Sequence, residues 1–292
     1  MKLAELVQYI NLVHKTTFRL GERYPDGEQG AFALTDETGR QFVLKWRPGV
    51  HNLSTVQRAR AVTDVLRSIN YPAPQYLFIR GAMGGIYSIQ AALPGTPMVG
   101  MTTAFLNRLL ELNSLQVGRA LSGLPDWHRE LVNTVLFGGD GYCLHESMLR
   151  YSQRTARLLR ELQTLVTTYQ QEPHRISDIV HVDFQPANIL VHEQAISGVI
   201  DWEGVSAGDC AFDIATLLFY AYDIPEVRDR LWLYLSGRVS LNLLCLYFSH
   251  LILRQVDWSL RHYDQATSER YISRGEVLLQ ELTYRRHAHR YT

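Results

Sequence analysis

His181-Val182-Asp183-Phe184-Gln185-Pro186-Ala187-Asn188 is followed, thirteen residues after its asparagine, by Asp201 in Ile200-Asp201-Trp202-Glu203. Between the two motifs lie Ile189-Leu190-Val191 and Ile196-Ser197-Gly198-Val199-Ile200, separated by His192-Glu193-Gln194-Ala195. β-Branched runs favour the pleated backbone, and a short break between two of them reads as a hairpin. Such a hairpin puts Asn188 just before its first strand and Asp201 just after its second. Both side-chain oxygens then stand at one end of the pair, within reach of a single ion. Taken alone, an aspartate five residues before an asparagine is more often turn chemistry than catalysis. Here it is joined by Ile-Asp-Trp-Glu and by Gly208-Asp209 with Asp213 beyond. Asp183 offers one carboxylate to a substrate hydroxyl, and Asn188 with Asp201 offers an oxygen pair to Mg²⁺, which are the needs of phosphoryl transfer.

The elements upstream are mostly strands. Residues 3–14 carry Leu3, Leu6, Val7, Ile10 and Val13 on one helical stripe. Residues 18–24, 31–35 and 41–46 read as strands, the last two joined by Asp36-Glu37-Thr38-Gly39-Arg40. Ser54-Thr55-Val56-Gln57 has the form of a capping box opening a helix to about residue 69, and Asn70-Tyr71-Pro72 ends it. Residues 76–80 and 85–92 supply two further strands. After Gly95 the pattern turns helical, over 105–115, 127–136, 147–169, 211–222, 228–235, 242–256 and 268–282. No internal repeat or low-complexity segment is present.

The spaced set His-x-Asp-x-x-x-x-Asn, Ile-Asp-Trp-Glu and Gly-Asp-x-x-x-Asp-Ile-Ala resembles the aminoglycoside phosphotransferase and choline kinase-like family. The resemblance implies an α+β, bilobal protein-kinase-like fold, with a small antiparallel-sheet N-terminal lobe and a mainly helical C-terminal lobe. It places the nucleotide-binding lobe at 1–93, and the helical lobe with catalytic loop and acceptor site at 94–292. It makes Ala92-Leu93-Pro94-Gly95-Thr96-Pro97 the hinge, with adenine held by backbone groups near Ala91 and Leu93. Lys45, at the end of an apolar strand, becomes the nucleotide lysine, Asp183 the base or hydroxyl-orienting group, and Asn188 with Asp201 the Mg²⁺ ligands. His181, Asp209 and Asp213 become structural supports, Asp209 also reading as an N-cap. The activity implied is transfer of the γ-phosphate of ATP or GTP to a small-molecule hydroxyl, with antibiotics such as aminoglycosides foremost. A choline- or homoserine-kinase-like metabolite kinase and a nucleotide-binding pseudokinase are the alternatives. Only six residues separate Asp201 from Gly208-Asp209, too few for the peptide platform of a protein kinase.

Two features are less regular. Tyr24-Pro25-Asp26-Gly27-Glu28-Gln29-Gly30 lies where a phosphate-covering loop belongs. Gly27 and Gly30 would let backbone N–H groups approach phosphate, but Asp26 and Glu28 oppose its charge, so a plain hairpin turn fits equally. Kinase-like folds orient their lysine with a glutamate from the next helix, yet no glutamate occurs from Thr38 to Leu110. The expected position falls near Ala59. Asp64 is the one acid on that helix, and its short side chain favours a solvated role.

Composition is that of a globular enzyme: 292 residues, 46% hydrophobic, with 29 basic and 29 acidic side chains in balance. A zero formal charge does not suit nucleic acid. Three scattered cysteines suit reduced core positions rather than disulfides or zinc. No signal-like or membrane-length apolar run is evident, so a cytoplasmic protein without membrane contacts is expected. Polycationic acceptors call for carboxylates, and the stretch 126–146 offers Asp126, Glu130, Asp140 and Glu146.

Overall fold

The computed structural model describes residues 3–24, 30–49 and 52–288. Along the chain run α1 (Leu3–His14), β1 (Arg19–Arg23), β2 (Ala31–Thr35), β3 (Gln41–Pro48), α2 (Leu53–Ser68), β4 (Tyr76–Ala82), β5 (Gly85–Ala91) and β6 (Thr96–Pro97). There follow α3 (Thr103–Ser114), α4 (Trp127–Phe137), α5 (His145–Tyr151), α6 (Gln153–Tyr169), β7 (Asp178–Val180), β8 (Ile189–His192), β9 (Ala195–Val199) and β10 (Ser206–Gly208). The chain closes with α7 (Ala211–Tyr220), α8 (Pro225–Ser236), α9 (Leu241–His262) and α10 (Gln265–Ala288).

Residues 1–100 and 186–205 form one compact unit. Its main sheet is antiparallel, in the order β1-β2-β3-β5-β4. The stripe of α1 buries Leu6, Val7 and Ile10 against Phe18, Leu34, Phe42, Leu44, Tyr87 and Ile89. Truncating fully buried Leu6 to alanine would cost about 2–5 kcal/mol. The β8–β9 hairpin belongs to this unit because β6 pairs with β8 and Val199 N–H donates to the Pro72 carbonyl at 2.8 Å. A single cut of the chain at 93/94 assigns that hairpin to the helical part, whereas the contacts group it with the sheet. Gly95 enables the β6 connection: its φ is +108°, and a Cβ there would run into the Val191 carbonyl.

Residues 101–185 and 206–292 form the second unit. Its centre is α9, which buries residues on all sides, including Leu244, Phe248, Leu251 and Ile252. Ser240 caps it, its hydroxyl accepting the Leu243 N–H at 3.1 Å. The two-stranded β7–β10 ladder pairs Val180 with Ser206 and thereby supports the start of the 181–185 loop.

Three local expectations are corrected. The helix read over 147–169 is two helices, because Ser152 is extended and forms a reciprocal capping box with Thr155. The box expected at Ser54 does not form, since α2 starts earlier, with Asn52 at its cap position. The N-cap of α7 is Cys210 rather than Asp209, although the Asp209 carboxylate accepts the Ala211 N–H at 2.9 Å.

Candidate active site

In the first unit, β3 carries Lys45 in register between Ala31 of β2 and Ser88 of β5. Its Nζ lies 2.8 Å from Asp201 Oδ1 and 3.3 Å from Glu203 Oε2. Arg47, two residues along the same strand, reaches Glu203 Oε1 at 3.0 Å. Two basic and two acidic side chains thus form one network, held by a strand on one side and a turn on the other.

The turn is built by Trp202. Its fully buried ring meets Tyr71 edge-on, and its Nε1 donates to the Val199 carbonyl at 2.8 Å. Asp201 adopts a left-handed backbone, φ 68° and ψ 53°, which aspartate tolerates better than most residues. Glu203 is 7% exposed in its side chain, whereas Asp201 keeps 44%. Burial acts to lower the Lys45 pKa, but the Glu203 and Asp201 carboxylates outweigh it and raise the value. Burial raises Glu203, with Asp201 adding to the shift against the pull of Lys45. For Asp201 burial is overcome by Lys45 and the hydrogen bond with Glu203, so its pKa is lowered. One carboxylate of the pair is favoured as the anion and the other is pushed towards its acid.

Asp64 is half exposed and pairs with Arg60 at 3.7 Å, so it is not the partner of Lys45. Ala59, at the expected glutamate position, is fully buried within α2. The acid missing from that helix is matched by Glu203, only two residues beyond Asp201. Its nearness to the aspartate motif was the available signal, and its burial could not be read from it.

Asn188 ends a 3-10 turn, is 8% exposed, and its carbonyl accepts the Ile200 N–H at 2.9 Å. With Ile189 opposite Val199, this places Asn188 and Asp201 at the same end of the hairpin. An amide oxygen and a carboxylate oxygen are hard donors that suit Mg²⁺. Of the residues expected to face the nucleotide, Ala91 has its N–H committed to the Gln75 carbonyl at 2.9 Å. Among the described residues, the Leu93 backbone takes no hydrogen-bond partner. Gly30 has φ +65°, a conformation suited to glycine, and Gly27 lies outside the described residues.

In the second unit, the fully buried Asp213 carboxylate accepts the N–H groups of His181 at 2.9 Å and Val182 at 3.1 Å. Gln116 Nε2 donates to the same carboxylate at 2.7 Å. Burial raises the Asp213 pKa against these donors and His181. His181 is itself fully buried, and its Nδ1 accepts the Asp183 N–H at 3.3 Å. The Asp183 side chain stays 35% exposed, takes a hydrogen bond from Gln185 Nε2 at 3.0 Å and faces Arg254 Nη1 at 3.3 Å. Asp209 is buried near Asp178, whose two oxygens are held by Arg175. Burial, with Asp178 adding to it, raises the Asp209 pKa.

Residues 22–240 match the model of the phosphotransferase enzyme family, APH. The chain belongs to this family. No curated protein matches it. Among solved structures it is similar to a thermostable mutant of aminoglycoside phosphotransferase APH(4)-Ia, in ternary complex with ADP and hygromycin B. The identity is 17%, the TM-score 0.71, and the match covers 94% of this chain and 97% of that one. It is also similar to the amicoumacin kinase hAmiN in complex with AMP-PNP, Ca²⁺ and Ami, at 15% identity and TM-score 0.65, over 94% and 93% of the two chains. A third is APH(2")-IIia with GDP and kanamycin, at 15% identity and TM-score 0.61, over 97% and 99%. At these identities the likeness establishes the fold, which is protein-kinase-like.

In this phosphotransferase two further side chains join the sequence-derived set. Gln185 follows Asp183 by two residues and binds its carboxylate. Arg254 comes from α9, and its only sequence signal is a lone cation after Leu251-Ile252-Leu253. Among the described residues no helix is long and apolar enough to cross a membrane.

Proposed function

We propose that this phosphotransferase moves the γ-phosphoryl group of ATP, or of GTP, to a hydroxyl of a small molecule in the cytoplasm. The observation that carries the reading is Asp183: a partly exposed carboxylate on a loop held by the buried Asp213. Asp183 orients the acceptor hydroxyl and takes its proton as the new P–O bond forms. The bond from the γ-phosphorus to the bridging oxygen breaks, and the nucleoside diphosphate leaves. Lys45 binds phosphate oxygens of the donor, with Asp201 and Glu203 limiting where its ammonium can go. Leu93 offers backbone groups to the base, and Gly30 with its positive φ lets the backbone come close to phosphate. Asn188 and Asp201 would hold Mg²⁺, which when bound neutralises phosphate charge.

The acceptor class best supported is an antibiotic such as an aminoglycoside, because the structural relatives named above carry a nucleotide together with hygromycin B, Ami or kanamycin. One observation favours a less cationic acceptor. Glu269 and Glu276 are both committed to Arg154, Asp257 to Arg261, and Glu281 to Arg285. Carboxylates held this way are poorly available to several ammonium groups. That supports a metabolite or a more apolar antibiotic as second reading.

A panel of aminoglycosides, macrolides, peptide antibiotics, amino alcohols and sugars, incubated with γ-labelled ATP and γ-labelled GTP, tests the proposal. Label should pass to at least one hydroxyl class. Nucleotide- and Mg²⁺-dependent thermal stabilisation with no transfer to any member would instead favour a pseudokinase.

A further inference from the structure

The loop that carries Asp183 contains a backbone conformation that its own residue disfavours. Val182 has φ +74°, in the left-handed region where a β-branched side chain crowds its backbone. Such a conformation persists only where the surroundings hold it. Asp213 of α7 holds the N–H groups of His181 and Val182. From α9, Arg254 Nη1 donates to the Val182 carbonyl at 3.0 Å and lies 3.3 Å from Asp183 Oδ1. Both polar ends of the Val182 residue are therefore fastened, by different helices.

Arg254 stands in Leu251-Ile252-Leu253-Arg254, and those three leucine and isoleucine side chains are buried. Its own side chain is 15% exposed. An arginine so enclosed is retained only with acceptors around it. Burial works to lower its pKa, and Asp183 leads the neighbours that raise it. A guanidinium can serve a carbonyl and a carboxylate together through its planar fork, which a lysine ammonium does not reproduce.

We propose that Arg254 is a positioning residue for the transfer reaction, fixing the strained Val182 peptide and the rotamer of the Asp183 carboxylate together. This rests on the role given to Asp183 under Proposed function. Arg254→Ala should lower kcat at least a hundredfold while the KM for ATP stays within about threefold. Guanidinium ion at low, non-denaturing concentration should restore part of that kcat, and urea at the same concentration should not. Arg254→Lys should fall between the two.

Amide hydrogen exchange supplies a readout that needs no acceptor. In Arg254→Ala, the amides of residues 182–185 should exchange at least tenfold faster, with those of α6 and α10 unchanged. Unchanged exchange in the loop, or wild-type kcat in the alanine variant, would overturn the proposal. So would a kcat loss that guanidinium fails to restore, or loosening throughout the unit, since both describe a packing residue. If the parent protein transfers no phosphate to any acceptor, the proposed function fails, while the exchange arm still decides whether Arg254 holds the loop.

Discussion

Lys45 Nζ and Asp201 Oδ1 stand 2.8 Å apart, and Glu203 binds the same ammonium at 3.3 Å. Lys45 is thus held by carboxylates from one turn, while the neighbouring helix α2 offers it none. Coupled residues give non-additive substitutions. Lys45→Ala and Glu203→Gln should each lower kcat/KM for ATP, and the double variant should be little worse than the poorer single. Coupling below about 0.5 kcal/mol in that cycle would separate Glu203 from the lysine. Asp64→Ala should leave kinetics alone and change stability by no more than about 0.5 kcal/mol, because its side chain is half exposed.

Asp183→Asn should lower kcat by about two to four orders of magnitude and leave nucleotide binding near normal, as expected for a residue acting on the acceptor hydroxyl. Turnover at the parent rate would remove that role.

The two proposed Mg²⁺ ligands differ in charge. Asp201→Ala should abolish Mg²⁺-dependent stabilisation by ATP more completely than Asn188→Ala, since only the carboxylate contributes a negative charge. Thermal shifts measured with and without Mg²⁺ check this, and equal Mg²⁺ dependence in the parent and Asp201→Ala would exclude Asp201.

Asp213 has both a stability and a pH signature. Asp213→Ala leaves the His181 and Val182 N–H groups and the Gln116 amide without their acceptor, at a cost of roughly 3–5 kcal/mol. Its folded-state pKa is raised above the ordinary 3.8, mainly by burial. From pH 3.8 up to that raised value the folded protein holds a proton that the unfolded chain has released. The contribution of Asp213 to stability therefore falls as pH rises through this window and is level above it. Denaturant titrations against pH should show this slope in the difference between the parent and Asp213→Asn. A difference that grows in the opposite direction would contradict the assignment.

The parts of the site that follow from local chemistry were readable in the chain. The β-branched runs after Asn188 do form a hairpin, and its short connection leaves Asn188 and Asp201 at one end. Lys45, expected at the end of an apolar strand, lies within it instead, because β3 runs on to Pro48. What escaped depends on distance or competition. Arg254 and Val182 are 72 residues apart, and no periodicity announces that contact. Glu203 closes the Ile-Asp-Trp-Glu motif, but its burial comes from Trp202 anchoring the turn beneath α2. Ser152 divides a continuous helical pattern because its side chain and Thr155 satisfy each other's N–H groups. Asn52 displaced Ser54 at the start of α2 because the helix extends past the box.

The proposed reaction is phosphoryl transfer from a nucleoside triphosphate to a small-molecule hydroxyl, with Asp183 acting on that hydroxyl. Mass spectrometry of the acceptor after incubation with ATP and Mg²⁺ tests it most directly. The parent protein should yield the phosphate monoester of one acceptor class, and Asp183→Asn should yield at least a hundredfold less in the same time. Equal ester from both proteins, or none from the parent across the whole hydroxyl panel, would contradict the account.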